Sequence, residues 1–591
     1  MKKSDFLFTA IFIILAAIPI LYGFHYIDKY GVNIPLDDQW ETVVPWTIDY
    51  YEGNFNVGSL IQEQNDSRSF FTSIILISVS VLTKMNIKVF FFIGYSLFIC
   101  AILFLIYLII KDIKFNKRYY FLFLLPIFYY AFNPYYLFRF IYNLGSIGSL
   151  MILFAIFAIY LLDLSKNQYS RKRTYLFLIL SIVLGVMCSF SGAPGLSIWF
   201  AGLLQISIQK IQDKRKKLIL WIGGAAITFY FYYIALGFKI NGITGTEGYR
   251  SYIFTALTYP LNKLLCFMGV LGSEVIHNSD IALFFGMLLV GVFISLIINN
   301  KGSLNLDKYS KWYALLTFGT LTALELALTR SGTIQFADFG RPDTIFYIPE
   351  IRHSLVIFLP MMCIYILALI YSKNSIDDPG EQDKKNSLVL GKMSRNMVIV
   401  GMILTLMLCG SFLHVIPGIT AASQSHDKNV NNQYYLLNYG SMSDNNLNQL
   451  DIREPNAAAA ANKINKFAIK LEKFKLNVFS DRSDFNLKLN LAMVEPDKKI
   501  DSAGNNLNSG YSSTSSNVQI GKSAMPAIFE YPLGQGSILE YDKFFIPKNS
   551  HLEFYIGLDE SIWDKPTNDG VTFEINITNS TNRYGTTIFS Q

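Results

Sequence analysis

Eleven runs of apolar residues suited to crossing a lipid bilayer recur along this chain, near 6–24, 89–110, 119–132, 145–162, 175–190, 196–208, 218–237, 281–299, 312–329, 353–372 and 397–417. About 20 such residues span a hydrocarbon core, and a helix satisfies its own backbone there. The feature confines the first two thirds of the chain to a polytopic α-helical bundle in a membrane. Charge usage agrees, since only 16% of the 591 residues are charged, against roughly a quarter in an average soluble domain. The 48 Phe and 36 Tyr suit a lipid-facing surface with aromatic belts.

Charge asymmetry sets the orientation. Two further apolar stretches, 69–83 and 263–275, are short for a crossing. If neither crosses, the loops on one side hold 23 Lys/Arg and the longer segments on the other hold 11. Letting 69–83 cross would move "KDIKFNKR" (111–118) to the poor side, against the positive-inside rule. The expectation is therefore about eleven spans with the N-terminus inside. On that reading 25–88 is a large first outer loop, 69–83 an interfacial or re-entrant helix, and everything after about 418 lies outside. The start, "MKKSDFLFTAIFIILAAIPILYGF", has a basic flank and a long apolar run without an evident cleavage site, and reads as an uncleaved anchor.

Several function classes recede. The basic clusters fall in short loops between apolar runs, so the net charge of +7 calls for no nucleic-acid partner. The five cysteines all lie in apolar segments without ligand spacing, which argues against a disulfide framework or a zinc site.

Composition changes after Pro417. A polar linker and an amphipathic helix are expected over 418–480, with Ile464, Phe467, Ala468, Leu471 and Phe474 on one face. The stretch "DSAGNNLNSGYSSTSSN" reads as a linker, and "SILEYDKFFI", "HLEFYIGL" and "VTFEINITN" read as strands. Residues 481–591 are thus expected to form an extracytoplasmic β-rich domain, a jelly-roll-like β-sandwich, behind a transmembrane domain over 1–417.

The chemistry-bearing feature is "VNIPLDDQWETVVPW" (32–46), which sets Asp37 and Asp38 side by side just past the first span. Two adjacent carboxylates repel each other and are costly near lipid. The order of parts — first span, outer loop with an acidic pair, surface helix, many spans, soluble outer domain — resembles the GT-C superfamily of integral-membrane glycosyltransferases. The resemblance implies an enzyme using a polyprenyl-phosphate-linked sugar donor, with Asp37 as base and Asp38 as its partner or as a ligand to a divalent cation such as Mg or Mn. Bacterial relatives place a polar cluster before the interfacial helix; here it is "QNDSR" (64–68), without the usual His.

Such a transfer needs a base for the acceptor hydroxyl and positive charge for the leaving phosphate. The candidate phosphate-binding residues are Arg68, which closes the acid-bearing loop, and Arg341, Arg352 and His353 around "RPDTIFYIPEIRHS". Arginine suits a bidentate phosphate clamp. Arg139 shares the outer side with them, and Glu274 and Glu325 lie in or beside apolar segments, where acids are functional by default. The expected function is sugar transfer to a cell-envelope glycan (O-antigen, capsule or teichoic acid) on the outer side of the cytoplasmic (inner) membrane. An O-antigen or capsule polymerase, and a transporter or flippase of lipid-linked glycan, are the alternatives.

Overall fold

The structure, a computed structural model, describes residues 3–62, 67–113, 120–141, 145–166, 170–235, 260–276, 279–300, 305–330, 356–377, 386–450, 452, 454, 456–480, 498–501, 506, 512–520, 523–530, 537–540, 574–579 and 582–590. The chain forms two compact units, Met1–Gln424 and Ser425–Gln591.

The first unit is helical among the described residues. Its long elements are α1 (Lys3–Tyr30), α2 (Val43–Glu52), α3 (Phe70–Leu82), α4 (Ile87–Ile113), α5 (Tyr120–Phe123), α6 (Leu125–Ala131), α7 (Pro134–Ile141) and α8 (Gly145–Leu164). They continue with α9 (Arg171–Ser189), α10 (Ser197–Ile208), α11 (Lys214–Phe229), α12 (Pro260–Gly272), α13 (Ser279–Asn299), α14 (Ser310–Arg330), α15 (Phe358–Asp377) and α16 (Asn386–Leu413). Helix α17 (Val415–Leu437) leads into the second unit.

Seven helical stretches among the described residues are long and apolar enough to cross a membrane: Phe6–Tyr30, Ile87–Ile113, Phe121–Ile141, Arg171–Ser189, Lys214–Ala235, Ile281–Asn299 and Arg395–Leu437. The protein is a helical membrane protein. The other four expected runs also fall on helices. They correspond to α8, α10, α14 and α15, of 20, 12, 21 and 20 residues. Helix α3 has 13 residues, about 20 Å at 1.5 Å per residue, two thirds of a ~30 Å hydrocarbon core.

Burial separates the helices by role. On α1, Leu7, Ile14, Ile18 and Leu21 are exposed and recur at helical spacing, a stripe suited to acyl chains. Helix α15 is the opposite case: from Val356 to Ser372 every side chain is buried. A helix apolar on all sides and covered on all sides is the centre of its bundle. Helices α12 and α13 approach so closely that a Cβ on Gly272 would lie 1.7 Å from the Ala282 carbonyl oxygen, and one on Gly286 1.7 Å from that of Met268. Only glycine permits this crossing, which substitutes backbone contact for side-chain packing.

Polar contacts lock the ends of the bundle where the basic loops lie. Lys311 Nζ meets Asp112 at 2.9 Å and Asp163 at 3.4 Å, and the Trp312 indole donates to Asp112 at 2.7 Å. Gln209 donates to Ser310 at 2.9 Å and Lys217 to the Ser165 carbonyl at 2.8 Å. These contacts tie α4, α8, α10, α11 and α14 together. In the loop before α14, Asp307 pairs with Lys166 at 2.7 Å and accepts from the Lys210 backbone at 2.7 Å. Partial burial would raise its carboxyl, but these two partners hold it below the usual range.

In the second unit, α18 (Asp444–Asn448) and α19 (Ala457–Lys473) are each capped by a side chain, Ser443 accepting from Asn446 N and Asn456 from Ala459 N. Helix α19 buries Ala460, Ala461, Ile464, Ala468 and Leu471; Phe467 and Phe474 of the expected face are half-buried. The described strands are β1 (Lys498–Asp501), β2 (Ser512–Ile520), β3 (Ser523–Glu530), β4 (Ser537–Glu540), β5 (Glu574–Asn579) and β6 (Asn582–Ser590). They form three separate antiparallel pairs, β1–β4, β2–β3 and β5–β6. The expected β-sandwich is not seen among the described residues, where each sheet has two strands. Strand β2 also runs through the Ser/Thr-rich stretch expected to be a linker. It pairs antiparallel with β3, "SAMPAIFE". Residues 551–558 and the expected turn at 568–570 lie outside the described residues.

Candidate functional site

The acidic pair sits on an ordered turn. Helix α1 ends at Tyr30, and after six intervening residues Asp37–Trp40 wind into one 3₁₀ turn ahead of α2. Gln39 and Trp40 point inward and are buried, as are Val43 and Val44 at the start of α2. The Gln39 side chain accepts from the Leu36 backbone at 3.0 Å, and Thr42 donates its hydroxyl to the Asp38 carbonyl at 2.7 Å. These anchors fix the backbone of both acids while leaving them half-buried. Asp37 adopts φ +45°, the left-handed region that a non-glycine residue enters at a cost, Asp more readily than most. Asp37 thus combines a half-buried side chain with a backbone conformation that carries strain.

Behind the pair, α2 and α3 close the outer loop. Trp46, Leu60 and Ile77 form its core, with Phe55, Phe70 and Val81 around them. Thr47 and Ser80, both buried, share a 2.6 Å hydrogen bond between the two helices.

Arg68 is buried and serves as a cross-link. Its backbone N–H donates to the Tyr232 hydroxyl at 3.0 Å, its Nε to the Tyr232 carbonyl at 2.9 Å, and its Nη1 to the Ile61 carbonyl at 2.8 Å. Tyr232 lies in a π-helical turn, Tyr230–Ala235, that ends α11. Nearby, Phe71 N donates to the Phe190 carbonyl at 3.1 Å and Ala193 N to the Ser67 hydroxyl at 3.2 Å. The loop carrying Arg68 is thus stitched to the α9–α10 connection. A donor phosphate at Arg68 would compete with two backbone carbonyls. Arg341, Arg352 and His353, with Asn65 and Asp66 of the polar cluster, lie outside the described residues.

A second polar constellation was only partly visible in the sequence. Arg139 of α7 and Glu274, in the turn after α12, are each 1% exposed, with Nη2 and Oε1 3.8 Å apart. Tyr136 donates to the Tyr130 hydroxyl at 3.1 Å, which in turn donates to Glu274 Oε2 at 3.1 Å. The guanidinium lies over the rings of Tyr136 and Tyr135, 4.3 and 5.1 Å from their centroids, and His414 stacks on Tyr135 at 4.1 Å. The signal for α7 itself is readable: in "FNPYYLFRF", Asn133 Oδ1 accepts from the backbones of Tyr135 and Tyr136 at 2.9 and 3.1 Å, with Pro134 at the first helical position. That Glu274 meets it is not readable.

Among the described residues no three of His, Cys, Asp and Glu gather as a metal-binding group. A divalent ion at the acidic pair would find two hard carboxylate ligands in Asp37 and Asp38 and take its remaining oxygens from substrate phosphate and water, a donor set that suits Mg or Mn.

No family model matches the chain, and no solved structure matches it significantly. An uncharacterized protein of Archaeoglobus fulgidus is 35% identical over 333 residues, covering 56% of this chain and 76% of that protein. Identity at that level over three quarters of the relative places this chain in the same family as the A. fulgidus protein.

Proposed function

We propose that this protein is a GT-C-like membrane glycosyltransferase that moves one sugar from a polyprenyl-phosphate donor to a cell-envelope glycan on the outer side of the cytoplasmic membrane. The observation that carries the reading is the acidic pair on a strained, side-chain-anchored turn at the end of the first span, Asp37 at φ +45°. A merely solvated loop has no need of that rigidity.

The acids then have defined work. The acceptor hydroxyl oxygen attacks the anomeric carbon as its proton passes to Asp37. The new C–O bond forms while the bond to the phosphate oxygen breaks, and the phosphate departs with the electron pair. A positioned carboxylate base contributes roughly 10²–10⁴-fold to such a step. Phosphate is a weakly basic leaving group, so it requires positive charge rather than a general acid; Arg341, Arg352 and His353 supply it, with Arg68 holding the loop beneath. Asp38 orients Asp37 or holds a divalent ion, which would offset charge on the phosphate. The proposed topology keeps the N-terminus inside and 418–591 outside, with the donor's lipid tail among the apolar helices.

The test is the envelope-glycan composition of cells carrying wild type, a deletion, Asp37→Asn or Asp38→Asn, each protein shown to reach the membrane. Loss of one defined sugar from the deletion and from an acid variant supports the transferase. Shortened polymer chains would favour a polymerase, and an unchanged glycan in every strain would remove the proposal.

A further inference from the structure

A charged pair sealed among membrane helices is expensive, and imperfect pairing makes it more so. Arg139 and Glu274 are such a pair. Their closest approach, 3.8 Å, is beyond hydrogen-bond range. The Nε and Nη1 atoms of Arg139 and Oε1 of Glu274 are buried without any hydrogen-bond partner. The tyrosine hydroxyls and the α7 backbone beside them are hydrogen-bonded and oriented. The relay from Tyr136 through Tyr130 fixes Glu274 Oε2, and Asn133 fixes the α7 backbone. The cluster is thus short of acceptors on one member and of a donor on the other.

That deficit specifies a ligand chemistry. A phosphate would meet the Glu274 carboxylate and be repelled, and an ammonium group would meet Arg139. A hydroxyl satisfies both, accepting from the guanidinium and donating to the carboxylate. The rings of Tyr135 and Tyr136, over which the guanidinium lies, offer flat apolar faces for the C–H side of a polyhydroxylated ring.

A short chain of contacts also links the cluster to the acidic pair's own helix. Tyr26 of α1 donates its hydroxyl to the Gly418 carbonyl at 2.8 Å. A Cβ on Gly418 would lie 2.5 Å from the Tyr135 backbone nitrogen, so α17 starts against α7. Tyr26 is four residues before the end of α1, about 6 Å along the axis, and the chain then leads directly to Asp37. The side chains are 1–2% exposed, so entry requires α7 and the turn after α12 to part.

From this we infer that Arg139 and Glu274, flanked by Tyr135 and Tyr136, bind the sugar ring of the lipid-linked donor by its hydroxyls. The inference rests on the glycosyltransferase reading. It separates recognition of the sugar, at this cluster, from recognition of the phosphate elsewhere.

The experiment compares two lipids on the purified full-length protein in nanodiscs, polyprenyl phosphate and the same lipid carrying a hexose (glucose, galactose or mannose in separate titrations). Wild type is expected to bind one sugar-lipid more tightly than bare polyprenyl phosphate. Arg139→Gln and Glu274→Gln should each weaken that sugar-lipid about tenfold to a hundredfold and leave bare polyprenyl phosphate unchanged. Melting temperatures are recorded alongside, and Tyr136→Phe, which removes the relay hydroxyl and keeps the ring, serves as a milder variant should either charge variant unfold; it is expected to weaken the sugar-lipid only. Equal loss of both lipids, or no loss in folded variants, overturns the inference and makes the cluster a structural lock. Failure of wild type to bind either lipid overturns the transferase reading itself.

Discussion

Asn300 and Asn396, 96 residues apart, exchange their side-chain amides: each Nδ2 donates to the other's Oδ1 at 3.1 Å, and both are buried. The first follows α13 and the second lies on α16, so this closed pair joins two candidate spans through polar atoms alone. Asn300 adds a 2.8 Å bond to the Leu296 carbonyl, which fixes its orientation.

Changing one member strands the other. Asn300→Leu or Asn396→Leu is expected to cost about 1–2 kcal/mol, and the double change less than the sum of the two. A double-mutant cycle from thermal unfolding in detergent measures the coupling; strict additivity would deny it.

Two glycines on one helix should respond in opposite ways. A Cβ at Gly286 would lie 1.7 Å from a backbone oxygen, whereas one at Gly291 meets nothing within 4 Å. Gly286→Ala is expected to destabilise by about 3 kcal/mol or more, and Gly291→Ala to stay within about 1 kcal/mol of wild type. Expression level and melting temperature of the two variants provide the readout.

The strain at Asp37 can be separated from its chemistry. Asp37→Gly relaxes the left-handed backbone and removes the carboxylate. The protein should melt at or slightly above the wild-type temperature while sugar transfer falls about 10²–10⁴-fold. Retained transfer in this variant would show that the carboxylate is dispensable.

Arg68→Ala removes two side-chain hydrogen bonds to carbonyls, one to buried Tyr232 and one to half-buried Ile61. A loss of about 2–3 kcal/mol is expected. Limited proteolysis should then cut the outer loop, which wild type resists under the same conditions. Unaltered cleavage and melting would mean that the loop is held by its apolar core alone.

Asp307 gives a sign for acid behaviour. Its carboxyl is lowered in the folded protein by Lys166 and the Lys210 backbone, so its contribution is present above the unfolded pKa, about 3.9. The contribution fades as pH falls through the still lower folded value. Melting curves between pH 6 and 3 should show wild type losing this increment below about pH 4, and Asp307→Asn lacking it throughout.

What the sequence revealed followed from local rules. The acidic pair stood out because two carboxylates beside an apolar run conflict with everything around them; α7 was not expected, although Asn133 and Pro134 are a local start signal of a helix. Of the eleven expected spans, seven helical stretches among the described residues are long and apolar enough to cross, and the remaining expected runs fall on helices α8, α10, α14 and α15. Arg139 and Glu274 lie 135 residues apart, and nothing local records that the turn after α12 meets α7. Strand β2 was missed because the Ser/Asn/Gly-rich composition of 501–517 reads as a linker.

Helix α15 has a consequence for how the protein meets different membranes. Bilayers differ in thickness by several ångströms, and a helix touching lipid must tilt or deform its surroundings to match. Helices α1, α9 and α13 carry that adjustment on their exposed faces. The side chains of α15 over 356–372 are covered by protein on every side, so lipid length does not act on it directly. The outer helices can lean to suit a thicker or thinner bilayer while the centre keeps its register.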